Sequence, residues 1–128
     1  MIITAPISAG ELIDKITILR IKAERLTDAA KLANVRTELS LLEELAQRHL
    51  PASAELAALT ADLHAVNAGL WDVEDSKRAC EREKRFDDAF VALARRVYLE
   101  NDRRAAIKRQ INDLTGSTVV EEKSYAAY

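Results

Sequence analysis

Apolar residues recur along most of this chain at alternating steps of four and three, the spacing of amphipathic helices. The first such stripe reads Leu12, Ile16, Leu19, Ala23 and Leu26. Ser8 and Glu11 stand at its head with capping-box spacing: the hydroxyl accepts from the third amide and the carboxylate reaches back. Ile7 and Leu12 are placed for the matching hydrophobic staple. A second helix is predicted from about Asp28, its cap, to Leu50, where Pro51 stops it. Its stripe is Leu32, Val35, Leu39, Leu42 and Ala46. Ser53 caps a third, with Leu56, Leu59, Leu63, Val66, Leu70, Val73, Lys77 and Cys80 in line. A turn is expected near Lys84–Asp87, since one helix from Ala54 to Leu114 would extend about 90 Å, too far for a compact domain to cover. The fourth helix runs from about Asp88 to Leu114 and closes at Gly116. Ile2-Ile3-Thr4 and Thr118-Val119-Val120 are β-prone and brief, and are expected to pair or pack across the bundle. The fold class expected is all-α: an antiparallel bundle of about four helices with short extended N- and C-terminal segments. It forms a single helical domain over residues 1–128, with an extended stretch at 1–7, helices over 8–114 and a tail at 115–128.

The pattern is broken in three places, and function is best sought where a sequence violates its own rule. In the first helix Arg20 falls inside the apolar arc, while Ile18 and Ile21 point away from it, so that helix is apolar on two sides. In the third, Asn67, Glu74 and Glu81 line the edge of the arc and Lys77 lies within it. In the fourth, Phe90, Leu93 and Val97 start a stripe that Asn101, Arg104 and Lys108 continue. A polar layer inside the bundle or at its mouth follows. Two readings fit it: a salt-bridge network that fixes helix register, or an anion pocket formed by Arg20, Arg104 and Lys108 with Glu74 and Asn101 orienting them.

Composition narrows the chemistry. A length of 128 residues gives room for one domain, and three glycines and two prolines exclude a loop-rich chain. The net charge of −2 argues against a general nucleic-acid binder. The single Cys80 forms no internal disulfide and reads as a small buried apolar group, while Trp71 reads as core or as a platform flanking a pocket. His49 and His64 lack matching carboxylates, so no metal site is expected. No cofactor motif occurs: there is no phosphate loop, dinucleotide fingerprint or Ser-His-Asp pattern. No run of eighteen apolar residues or signal peptide is present, so no membrane span is expected and the default location is cytoplasmic.

Four stretches carry a resemblance: SAGELIDKITIL from Ser8 to Leu19, Leu70-Trp71 with Glu74, NDRRAAIK from Asn101 to Lys108, and VEEKSY from Val120 to Tyr125. Together they resemble an uncharacterised family of short bacterial helical proteins of unknown function. The resemblance brings no catalytic roles. It draws attention to Asp14, Lys15, Glu121, Lys123 and Tyr125, and to a tail that a helical core does not need. The tail is expected to fold over Ile18 and Ile21, with Val119, Val120 and Tyr125 as cover. The function expected is a non-enzymatic interaction or oligomerisation module, with Ile18, Ile21, Leu41 and Leu99 as a homo-oligomer or partner surface. The alternative is a binder of, or enzyme acting on, a small anionic ligand through the inward Arg/Lys/Glu layer.

Overall fold

The computed structural model describes residues 1–128. Four helices form, α1 (Ala9–Arg25), α2 (Ala29–His49), α3 (Ala54–Arg82) and α4 (Asp88–Thr115), and no strand. Each starts where a short polar side chain can satisfy an orphan amide. Ser8 accepts from Glu11 N at 3.0 Å, Asp28 from Lys31 N at 2.9 Å, Ser53 from Leu56 N at 3.1 Å and Asp87 from Phe90 N at 3.2 Å. The expected capping box forms only in this forward half, because the Glu11 carboxylate is drawn instead to Lys108. The turn between α3 and α4 falls where it is expected, with Lys84 in the left-handed region at φ 53°. The Arg85 amide there donates to Cys80 O, closing the helix end without a glycine. Gly116, at φ 65°, closes α4 the same way, with Ser117 N donating to Asn112 O.

Helix α1 is the centre of the arrangement, packing on α2, α3 and α4, while the α2 backbone comes close only to α1. That explains why α1 is apolar on two sides. Leu12, Ile13 and Ile16 join Leu56, Leu63 and Ile111 in the main core, flanked by Leu39, Leu42 and Leu45 of α2. The opposite stripe, Gly10, Asp14, Thr17 and Ile21, is also buried. Ile21 is only 1% exposed, in a crevice with Ile18, Leu70 and Trp71.

Helix α1 runs parallel to α3 and antiparallel to α4, as contacts from Thr17 to Asn67 and from Asp14 to Arg104 establish. Its C-terminal end reaches Asp72, through an ion pair from Arg25 at 2.6 Å. With 17 residues against 29 and 28, α1 is about 26 Å long and the other two about 43 Å. The α3–α4 hairpin therefore projects beyond α1 as two helices alone. Val73 and Cys80 are sealed between them, while Phe86, Val91, Tyr98 and Leu99 lie exposed on the projection or at its base.

Two expectations about the chain ends are corrected. Ile2-Ile3-Thr4 and Thr118-Val119-Val120 form no strand pairing, Ile2 and Ile3 are about 80% exposed, and of the second stretch only Val120 is half-buried. The tail does not cover Ile18 or Ile21, because α3 already lies over that face. It follows α4 instead, held by side chains.

Candidate functional site

The buried stripe of α1 sets the site, because it carries a carboxylate where a hydrophobe is the norm. Asp14 is 1% exposed and lies on the same side of α1 as Gly10 and Thr17, facing α3 and α4. Arg104 of α4 meets it with two parallel bonds, Nε to Oδ1 at 2.9 Å and Nη2 to Oδ2 at 2.5 Å. This fork-on-carboxylate geometry is the strongest form of side-chain pairing. Asn67 of α3 donates through Nδ2 to Asp14 Oδ1 at 3.0 Å and to Thr17 Oγ1 at 2.9 Å. The Thr17 hydroxyl in turn donates to Asp14 O at 2.8 Å. One carboxylate thus joins three helices.

Burial alone would raise the Asp14 pKa, since it penalises the charged form. The hydrogen bonds from Arg104 and Asn67, with the positive charges of Arg104 and Lys108, outweigh that and hold it below the usual carboxylate value. Bonding to Asp14 raises Arg104 in return.

One turn along α4, the Lys108 ammonium lies between two carboxylates, donating to Glu11 Oε2 and Glu121 Oε2 at 2.8 Å each. Burial opposes its charge, and these two partners more than restore it, so its pKa is raised. A further turn on, Gly10 N donates to Asn112 Oδ1 at 2.7 Å, and Ala9 N to Ser117 Oγ at 3.3 Å. No fully buried side-chain nitrogen or oxygen in the chain lacks a partner. On its inner side the layer is satisfied.

The tail is fastened to the outer side of this layer. Beyond Glu121–Lys108, Glu122 pairs with Arg109 at 3.2 Å and Lys123 with Asp102 at 2.5 Å. The Tyr128 hydroxyl donates to Asp102, and its ring lies 5.2 Å from that of Tyr98. From Thr118 onward no backbone hydrogen bond ties the tail to the helices. Between the tail and α4 remains an open cavity of about 850 Å³, with Asn101, Arg104 and Lys108 on its α4 wall.

The five residues expected to form an anion pocket are not brought together as one group. Arg104, Lys108 and Asn101 are neighbours, and Asn101 Oδ1 accepts from Arg104 Nη1 at 3.4 Å. Arg20 is separate: it points toward α2, pairs with Glu43 at 3.0 Å and lines a different groove with His64. Glu74 pairs along its own helix with Lys77 at 3.6 Å, sharing only a crevice with Arg104. The expected apolar surface is also dispersed. Ile21 is buried against α3, Ile18 is half-buried beside it, and Leu41 and Leu99 stand on helices whose backbones do not come close.

Sequence reasoning from the apolar stripes missed Asp14, Thr17 and Glu11 as members of the layer. A signal was present, because Gly10, Asp14, Thr17 and Ile21 are spaced four, three and four. That stripe is legible once Ile21 is taken as its marker. No group of histidine, cysteine or carboxylate side chains suited to a metal ion occurs, and no helix is long and apolar enough to cross a membrane. Three of the four stretches that carry the family resemblance meet at this layer, the start of α1, the second half of α4 and the tail, while Leu70, Trp71 and Glu74 of α3 line a crevice beside Arg104. No curated protein and no solved structure matches the chain. Residues 3–128 match one family, and the chain belongs to it: the family of unknown function DUF6165.

Proposed function

We propose that this protein is a non-enzymatic interaction module that associates with a second copy of itself through the projecting α3–α4 hairpin. The observation that carries the reading is the projection itself. Two helices can bury one stripe of each against the other, and their flanks need a third or fourth helix. Here Phe90 and Leu93 are only half-buried, and Phe86, Val91 and Leu99 are exposed on or beside the same stretch. Two such hairpins laid together make a four-helix bundle. The surface area supports this. The chain exposes 8644 Å², against about 6,800 Å² expected for a compact monomer of its 14.2 kDa. The surplus is roughly 1,800 Å² per chain, shared between the exposed chain ends and the hairpin flank, and an interface of standard size draws only about 800 Å² from each partner. The polar layer fits the same reading, since Asp14, Arg104 and Lys108 then fix the register of the helices that present the hairpin.

Replacing Val91 and Leu99 together by glutamate tests the surface. Val91 is 51% and Leu99 38% exposed, so folding should change by about 0.5 kcal/mol at Val91 and about 1 kcal/mol at Leu99. Dimerisation should weaken at least tenfold, while Leu41→Glu on α2 should leave it unchanged. Equal weakening by Leu41→Glu, or none by the pair, would refute the hairpin as the interface.

A second reading, recognition of a small anionic ligand, is favoured by one observation: Arg104, Lys108 and Asn101 line an open cavity rather than a sealed seam. Its measure is anion-dependent thermal stabilisation.

A further inference from the structure

We infer that the cavity between α4 and the tail is a binding site for a ring-bearing anion, an aryl phosphate or aromatic carboxylate, with the tail as its outer wall. The proposal rests on the ligand-binding reading and stands apart from self-association. Its volume of about 850 Å³ lies within the range of small-molecule sites, roughly 300–1,000 Å³.

Hydrogen-bond accounting points to acceptor oxygens on the ligand. A guanidinium has five N–H donors. Arg104 gives two to Asp14 and one to Asn101, leaving two. Lys108 gives two of its three to Glu11 and Glu121. The Asn101 side-chain amide donates to nothing in the chain, although its oxygen accepts from Arg104. The acidic groups on the same walls are each paired with a donor of the chain, Asp102 with Lys123 and Tyr128, Glu121 with Lys108 and Glu122 with Arg109. Unused donor capacity clusters on Asn101, Arg104 and Lys108. Carboxylate or phosphoryl oxygens answer it without breaking the Asp14 pair.

The opposite wall specifies the rest of the ligand. Tyr98, Tyr125 and Tyr128 all line the cavity, and Tyr125 is 85% exposed, with the Lys123 ammonium 5.4 Å from its ring centre. Such rings favour a flat or ring-shaped body in stacked or edge contact. Since the tail has no backbone bonds to the helices, it can adjust to an occupant without breaking a helix.

The test is calorimetric titration of the full chain with phenyl phosphate, inorganic phosphate and phenol. Phenyl phosphate should bind one to one and saturably, and each fragment at least tenfold more weakly. Tyr125→Ala and Asn101→Ala should each reduce phenyl phosphate affinity at least tenfold with unchanged melting, whereas Arg20→Ala should have no effect. Saturable binding that these two variants leave intact would overturn this cavity while leaving the ligand-binding reading in place. Equal affinity for inorganic phosphate would overturn the ring-bearing specificity. No saturable binding of any of the three would overturn both the site and the reading.

Discussion

Replacing Asp14 by alanine should cost about 3 kcal/mol, toward the lower end of what breaking a buried ion pair does. The aspartate is 1% exposed and serves Arg104 twice and Asn67 once. Its loss leaves the half-buried Arg104 guanidinium without its bonded counter-charge, with only the more distant Glu11 and Glu121 acting on it. Arg104 keeps some contact with water, which holds the loss below the upper end of that range. The loss is large against a typical folding stability of about 5–15 kcal/mol. Acid dependence gives the same group a second signature. The Asp14 pKa is lowered in the folded chain, so its contribution is fully present above the unfolded value near 3.9 and disappears as pH falls through the folded value. Urea unfolding at neutral pH and at successive acid steps should show wild type losing stability faster than Asp14→Asn. Parallel curves for the two proteins would contradict the role given to this carboxylate.

Gly10→Ala should destabilise by about 1–3 kcal/mol, the usual cost of overpacking. Elsewhere in a helix the same change stabilises by roughly 0.5–1 kcal/mol, since alanine loses less backbone freedom. The sign reverses because a Cβ on Gly10 would lie 2.5 Å from the Lys108 carbonyl oxygen and 2.9 Å from Asn112 Oδ1. Backbone cannot yield as a side-chain tip can, so α1 and α4 must separate. That movement stretches the Gly10–Asn112 bond and disturbs the Lys108–Glu11 pair one turn away. Gly69 of α3 is the internal control, because a Cβ there meets nothing within 4 Å. Gly69→Ala should raise the melting midpoint and Gly10→Ala should lower it. Two shifts of the same sign would show that no close approach governs position 10.

The helices were legible in the sequence because their ends are written in local chemistry. Ser8, Asp28, Ser53 and Asp87 cap the four starts, and each acts through its own next turn. The turn near Lys84–Asp87 was legible for another reason: charge density exposed it, and helix length demanded a break. Partnership across space was less legible. Glu11 has perfect capping spacing, yet its carboxylate goes to a lysine 97 positions away. Arg20 lies inside the apolar arc of α1, and only the position of α2 assigns it to Glu43 rather than to Arg104's cluster. Ile21 resembled an exposed contact because a helix apolar on two sides is central or covered, and periodicity cannot say which. The tail carries no periodicity at all, so its path along α4 could not be read from pattern.

These residues now divide between two tasks. Asp14, Asn67, Arg104 and Lys108 hold three helices in register, and the hairpin they position carries apolar surface beyond the reach of α1. The account requires that surface to be covered by another copy. Sedimentation equilibrium from about 1 µM to about 1 mM, spanning affinities from weak to moderate, tests this most directly. The weight-average mass should climb from 14.2 kDa toward twice that value. A mass that stays at 14.2 kDa across the whole range would contradict the account.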